Sequence, residues 1–138
     1  MPSTNATLDV RNFPSNGSDG YTNTTASNNA IYSYKYSGGT DNLGGMDVKV
    51  GQGVATLNLS LDSDQRYSIE GVNFSDDPYN QLTWRGNAPT TGVITDANTE
   101  VENAHYSVTV ADSTADCTFP CDPMIDNERG PMALIRHH

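Results

Sequence analysis

The segment GVATLNLSL, residues 53–61, constrains the fold more than any other. Ala55, Leu57, Leu59 and Leu61 fall on one parity, and Val54, Thr56, Asn58 and Ser60 fall on the other. A period of two puts one set on each face of an extended strand. The same alternation recurs at Leu8 and Val10, at Tyr32, Tyr34 and Tyr36, at Met46, Val48 and Val50, at Leu82 and Trp84, and at Tyr106, Val108 and Val110. Almost no stretch carries a helical period. In RYSIEGVNF, Tyr67 and Ile69 share one parity while Val72 and Phe74 share the next. The switch falls at Gly71 and predicts a β-bulge there. Runs this short, broken by Gly, Asn, Asp and Pro, predict an all-β chain. The expected fold is a single antiparallel β-sandwich, Ig-like or jelly-roll-like, of about seven or eight strands.

A length of 138 residues suits one domain. The alternating runs place the sandwich at residues 30–127, with a polar N-terminal strand and arm over 1–29 and a tail over 128–138. Within the N-terminal part, RNFPSNGSDGYTNTTASNNA offers only Phe13 and Tyr21 as apolar anchors. Such a stretch cannot order itself alone.

Seven basic residues against 17 acidic ones leave a net charge of −10. Nucleic acid and anionic membrane surfaces both require positive charge, so neither is expected as a partner. The start, MPSTNATLDV, has no basic stretch leading into an apolar one, and no apolar run approaches the ~20 residues that span a bilayer. The expected location is the cytoplasm or an assembled particle. The Asn-x-Ser/Thr sequons at Asn5, Asn16, Asn23, Asn58 and Asn73 follow from a composition rich in those residues.

The stretch CTFPCDPMIDN, residues 117–127, holds both cysteines. CTFP looks like the start of a copper loop, but Asp122 stands where a histidine is needed. Zinc would need Cys117 and Cys121 with His105 and either His137 or His138. A Cys117–Cys121 disulfide is the third reading, with the thiols in a turn that precedes a closing strand and Pro120 turning the chain. No cofactor is otherwise expected. Calcium is the metal that loop carboxylates suit; the candidate groups are Asp62 with Asp64, Asp76 with Asp77, and Asp112 with Asp116 and Asp122. Asp is equally a good turn residue. No catalytic residue is assigned, because no nucleophile elbow, phosphate loop or zinc-protease motif is present. For carbohydrate binding the aromatic candidates are Tyr32, Tyr34, Tyr36, Tyr79 and Trp84, against a simpler role in the core.

The run Asp122-Pro123-Met124-Ile125-Asp126-Asn127 resembles the C-terminal motif of the DP-EP family of small bacterial β-sandwich proteins. The matching positions are Asp122, Pro123, Ile125 and Asn127. The resemblance implies a fold and no activity. Together these readings describe a non-enzymatic structural or interaction protein. It is expected to assemble with itself or dock through terminal arms and sheet edges. A carbohydrate- or calcium-binding module and a virion or surface-layer component are the alternatives.

Overall fold

The computed structural model describes residues 3–40, 42–100, 103–121 and 134–137, with the backbone alone at residue 103 and across 134–137. The described residues form eleven strands and no helix: β1 (Ser3–Arg11), β2 (Thr22–Thr25), β3 (Ile31–Gly38), β4 (Met46–Val48), β5 (Ala55–Leu61), β6 (Tyr67–Ser75), β7 (Leu82–Ala88), β8 (Thr91–Asp96), β9 (Asn103–Asp112), β10 (Cys117–Cys121) and β11 (Leu134–His137). Among them no helix is long and apolar enough to cross a membrane.

Two sheets pack face to face. The first runs β2-β3-β1-β5-β8-β7. In the second, β9 pairs with β6 on one edge, and with β10 and β11 on the other; β4 lies beside β11. All described pairings are antiparallel except β1 with β5 and β4 with β11. The β-sandwich expected from the alternation is therefore present. Ala55, Leu57, Leu59 and Leu61 are buried, as are Leu8, Val10, Tyr106, Val108 and Val110. The β6–β9 register shifts between Ile69 and Gly71, which is the bulge that the parity switch predicted.

Aromatic rings tie the sheets together. Tyr32 of β3 stacks on Phe119 of β10 at 4.3 Å, and Tyr67 of β6 meets Phe119 edge-on at 6.2 Å. Tyr36 meets Tyr106 edge-on at 5.7 Å. Both geometries suit the quadrupoles of the rings. Each hydroxyl must also find a partner. Tyr36 donates to the Cys121 carbonyl and Tyr106 to the Gly44 carbonyl, both at 2.6 Å.

The terminal segments lie closer to the sandwich than the arm reading anticipated. β1 is an interior strand, flanked by β3 and β5, so residues 3–11 belong to the sheet. The polar stretch after it gains order from its neighbours. The Arg11 guanidinium donates to Asp19 at 2.7 Å and lies 3.6 Å from the centre of the Tyr21 ring and 4.5 Å from that of Phe13. Tyr21 in turn donates to Asp9. The two anticipated anchors thus close on one cation. β2 then pairs with β3. At the other end, Leu134–His137 of the tail forms β11 between β9 and β4. The rest of the tail, the DP-EP-like motif at 122–127 and Asp122 lie outside the described residues.

Candidate functional site at the open edge of the sandwich

The predicted site residues divide into those that hold the fold and those that reach a surface. Tyr32, Tyr34 and Tyr36 are buried core residues and cannot offer a platform to a ligand. Trp84 is half-buried, packed on the core. Its six-membered ring lies so close over Gly92 that a side chain there would overlap it. Tyr79 is the exception, 55% exposed.

Cys117 and Cys121 stand on β10, a strand, where a thiol-bearing turn was expected. Four residues of extended chain separate their Cα atoms by about 13 Å at ~3.3 Å per residue. A disulfide tolerates about 7 Å, and two thiolates on one zinc bring their sulfurs within about 4.6 Å. The geometry of the strand thus excludes both pairings. The two residues are buried and form no disulfide; Sγ of Cys117 lies 3.2 Å from the Tyr32 hydroxyl. Both thiols are expected to resist alkylation in the native protein. Both should react in denaturant without reductant, which a mass measurement would read out. A mass unchanged after denaturation would contradict this.

The described aspartates do not converge. Among the described residues no three His, Cys, Asp or Glu side chains come together as metal ligands. Asp64 caps the amide of Arg66 at 3.1 Å, and Asp77 receives the amides of Gln81 and Leu82 at 2.8 and 3.1 Å. Asp116 is an exposed turn residue with φ 53°. Asp62 is exposed, its amide bonded to the Leu8 carbonyl. His105, the zinc candidate, has a side chain only 15% exposed; Nδ1 lies 3.0 Å from Asp76 Oδ2, off the line of a hydrogen bond.

Asp112 serves the interior. It is fully buried and accepts Nε and Nη2 of Arg66 at 2.9 and 2.8 Å, and the Tyr32 hydroxyl at 2.6 Å. The amides of Thr114 and Ala115 also point to it. Burial pushes its carboxyl up, but the bonds from Arg66, Tyr32, Ala115 and Thr114 outweigh this and hold it at about 2. Burial, then the bond to Asp112, raises the Tyr32 phenol well above its usual range. The group ties β3, β6 and the β9–β10 turn together. Its carboxylate is closed to solvent, and only the Arg66 side chain is partly exposed.

The remaining feature is an asymmetry between the two sides of the sandwich. On one side the sheets are laced: Thr24 donates to the Pro120 carbonyl at 2.7 Å, Ser27 to Thr118 at 2.8 Å, and the Thr118 amide to Ser27 Oγ at 3.0 Å. On the other side stand β6 and β7, each the outer strand of its sheet among the described residues. Ile69, Val72 and Phe74 of β6 and Trp84 of β7 pack on the core yet stay partly exposed. Among the described residues the bridge falls near the start of β6, where the Ile69 amide donates to the Pro89 carbonyl at 2.7 Å. Beyond it lies a groove of about 1000 Å³, lined by Val72, Phe74, Asp76, Tyr79 and Leu82, among others.

The turn that closes this groove is fixed. Asp76 and Asn80 hold φ of 56° and 52°, a left-handed conformation that Asp and Asn tolerate best after glycine. The Asn80 amide bonds to the Asp77 carbonyl at 3.2 Å, and the Asp77 carboxylate anchors the start of β7. Tyr79 is therefore presented from a braced turn. Sequence reading named Tyr79 and Trp84 but missed Val72 and Phe74 as surface residues, because alternation alone assigns them to the core. No family model matches the chain, and no curated protein matches it.

Proposed function

We propose that the protein is a non-enzymatic structural or interaction module that docks an extended segment along the open β6–β7 edge. One observation carries this reading: partly exposed apolar side chains sit between two outer strands on one side, while the other side is laced shut. An outer strand offers unpaired backbone N–H and C=O groups, and a second chain can complete them. Val72 and Phe74 are two residues apart, the spacing at which alternate side chains of an added strand would meet them.

Trp84 is the only tryptophan and lies at this edge, so its emission reports occupancy. Titration with a neutral peptide of alternating Val and Thr is expected to shift Trp84 emission to the blue. Phe74→Lys should weaken that binding about tenfold, the equivalent of 1.4 kcal/mol, while the protein stays folded. No emission change at millimolar peptide would sink the proposal. A second reading, a saccharide-binding module, is favoured by Tyr79, whose exposed ring stands on a braced turn beside Asn73, Asp76 and Asn80. Retention on a glycan array that disappears with Tyr79→Ala would support it.

A further inference from the structure

The charge around the open edge selects among occupants. From Tyr67 to Ala88, across β6, its turn and β7, the acidic residues are Glu70, Asp76 and Asp77, and Arg85 is the only basic one. Glu70 is exposed on the bulge, and the Asp76 side chain is 70% exposed at the groove, with the largely buried His105 ring 3.0 Å from its Oδ2. Asp77 spends its oxygens on two amides but keeps its charge. The one basic residue near the other end of β6, Arg66, is held by Asp112. The rim is therefore negative on a molecule whose net charge is already −10. A second copy would bring the same sign to the same edge and be repelled.

Resting on the docking reading above, we propose that the occupant is an extended segment of a different protein, apolar at alternate positions and bearing Lys or Arg between them. Its apolar side chains would meet Val72, Phe74 and Leu82. Its cations would face Glu70 and Asp76, and its backbone would extend β6. Charge at a rim acts mainly on encounter rate and selectivity, so the signature is a preference that salt erases.

The test uses three capped peptides of about eight residues, the length of a strand, with Val at alternate positions and Lys, Thr or Glu between them. Trp84 emission reads binding to the full chain. At low salt the Lys peptide is expected to bind at least about tenfold tighter than the Thr peptide, and the Glu peptide more weakly than either. The advantage should vanish at high salt. Glu70→Lys with Asp76→Asn should abolish it; Asn keeps the left-handed backbone at 76. Asp62→Lys with Asp116→Asn changes net charge equally at other turns and should preserve the preference. If the Lys and Thr peptides bind alike, the charge inference falls while docking stands. If both variants lose the preference equally, diffuse net charge explains it and the inference falls. If no peptide moves Trp84, docking itself fails. Dimer mass at low salt, lost with Phe74→Lys, would make a second copy the occupant and overturn the proposal.

Discussion

A chain lacking residues 1–11 is expected not to fold. In the sequence β1 reads as a short polar N-terminal strand outside the expected sandwich of residues 30–127, with Leu8 and Val10 on one face. In the sheet it joins β3 on one side and β5 on the other. Removing it would split the six-stranded sheet and leave two interior strands with bare edges. It would also remove the buried side chains Ala6, Leu8 and Val10. Burying a Leu or Val side chain contributes about 1.5–3 kcal/mol, and a domain holds only about 5–15 kcal/mol in total. The backbone bonds of β1 come on top of this. Circular dichroism and amide dispersion in NMR would check it, with no cooperative melt expected. A truncated chain with native dispersion and a cooperative transition would show that β1 is an appendage after all.

Asp112→Ala is expected to be the most damaging single substitution among the charged residues, at about 3 kcal/mol. That is the lower end of the range for breaking a buried pair, chosen because the Arg66 side chain is 24% exposed. The loss has three parts. Arg66 loses a two-point partner, Tyr32 keeps a buried hydroxyl with nothing to accept its proton but Cys117, and two turn amides lose their cap. Tyr32→Phe removes only one of these bonds and should cost about 1 kcal/mol. Thermal melts would rank the three proteins; equal melting temperatures for wild type and Asp112→Ala would refute the role.

The same residue sets a pH dependence. Its folded-state pKa is depressed to about 2, below the 3.8 of an unperturbed carboxyl. A depressed carboxyl contributes stability that is complete above the unfolded value and is lost as pH falls through the folded one. The wild type should therefore lose stability between about pH 4 and pH 2. Asp112→Asn, which cannot ionise, should start lower and show a flatter acid limb. An acid limb unchanged by that substitution would assign the pH dependence to other carboxylates.

The buried network and the open edge show where sequence legibility stops. The alternation in β5, β9 and β3 identified their inward faces without any structure, because a period of two has one meaning in an all-β chain. The bulge at Gly71 was legible for the same reason: a parity switch leaves one residue over. β2 and β11 were not legible. Each has four residues, and their order comes from the strands they join. The role of Asp112 was equally hidden, since in sequence it is one aspartate among many in turns. Arg66 and Tyr32 lie 46 and 80 residues away from it.

CTFPC shows the balance most directly. Read alone, two cysteines four residues apart around a proline suggest a turn, a metal loop or a disulfide. Pairing with β9 stretches that segment instead and moves the sulfurs apart. The sequence by itself determined the fold class and the inward side of each long strand, because side-chain alternation is a local property of extended chain. Only the tertiary structure decided which aspartates are buried, which tyrosine is exposed and which two strands stand outermost on the open side among the described residues. Those outcomes depend on which segments meet across long loops, and no local pattern encodes that.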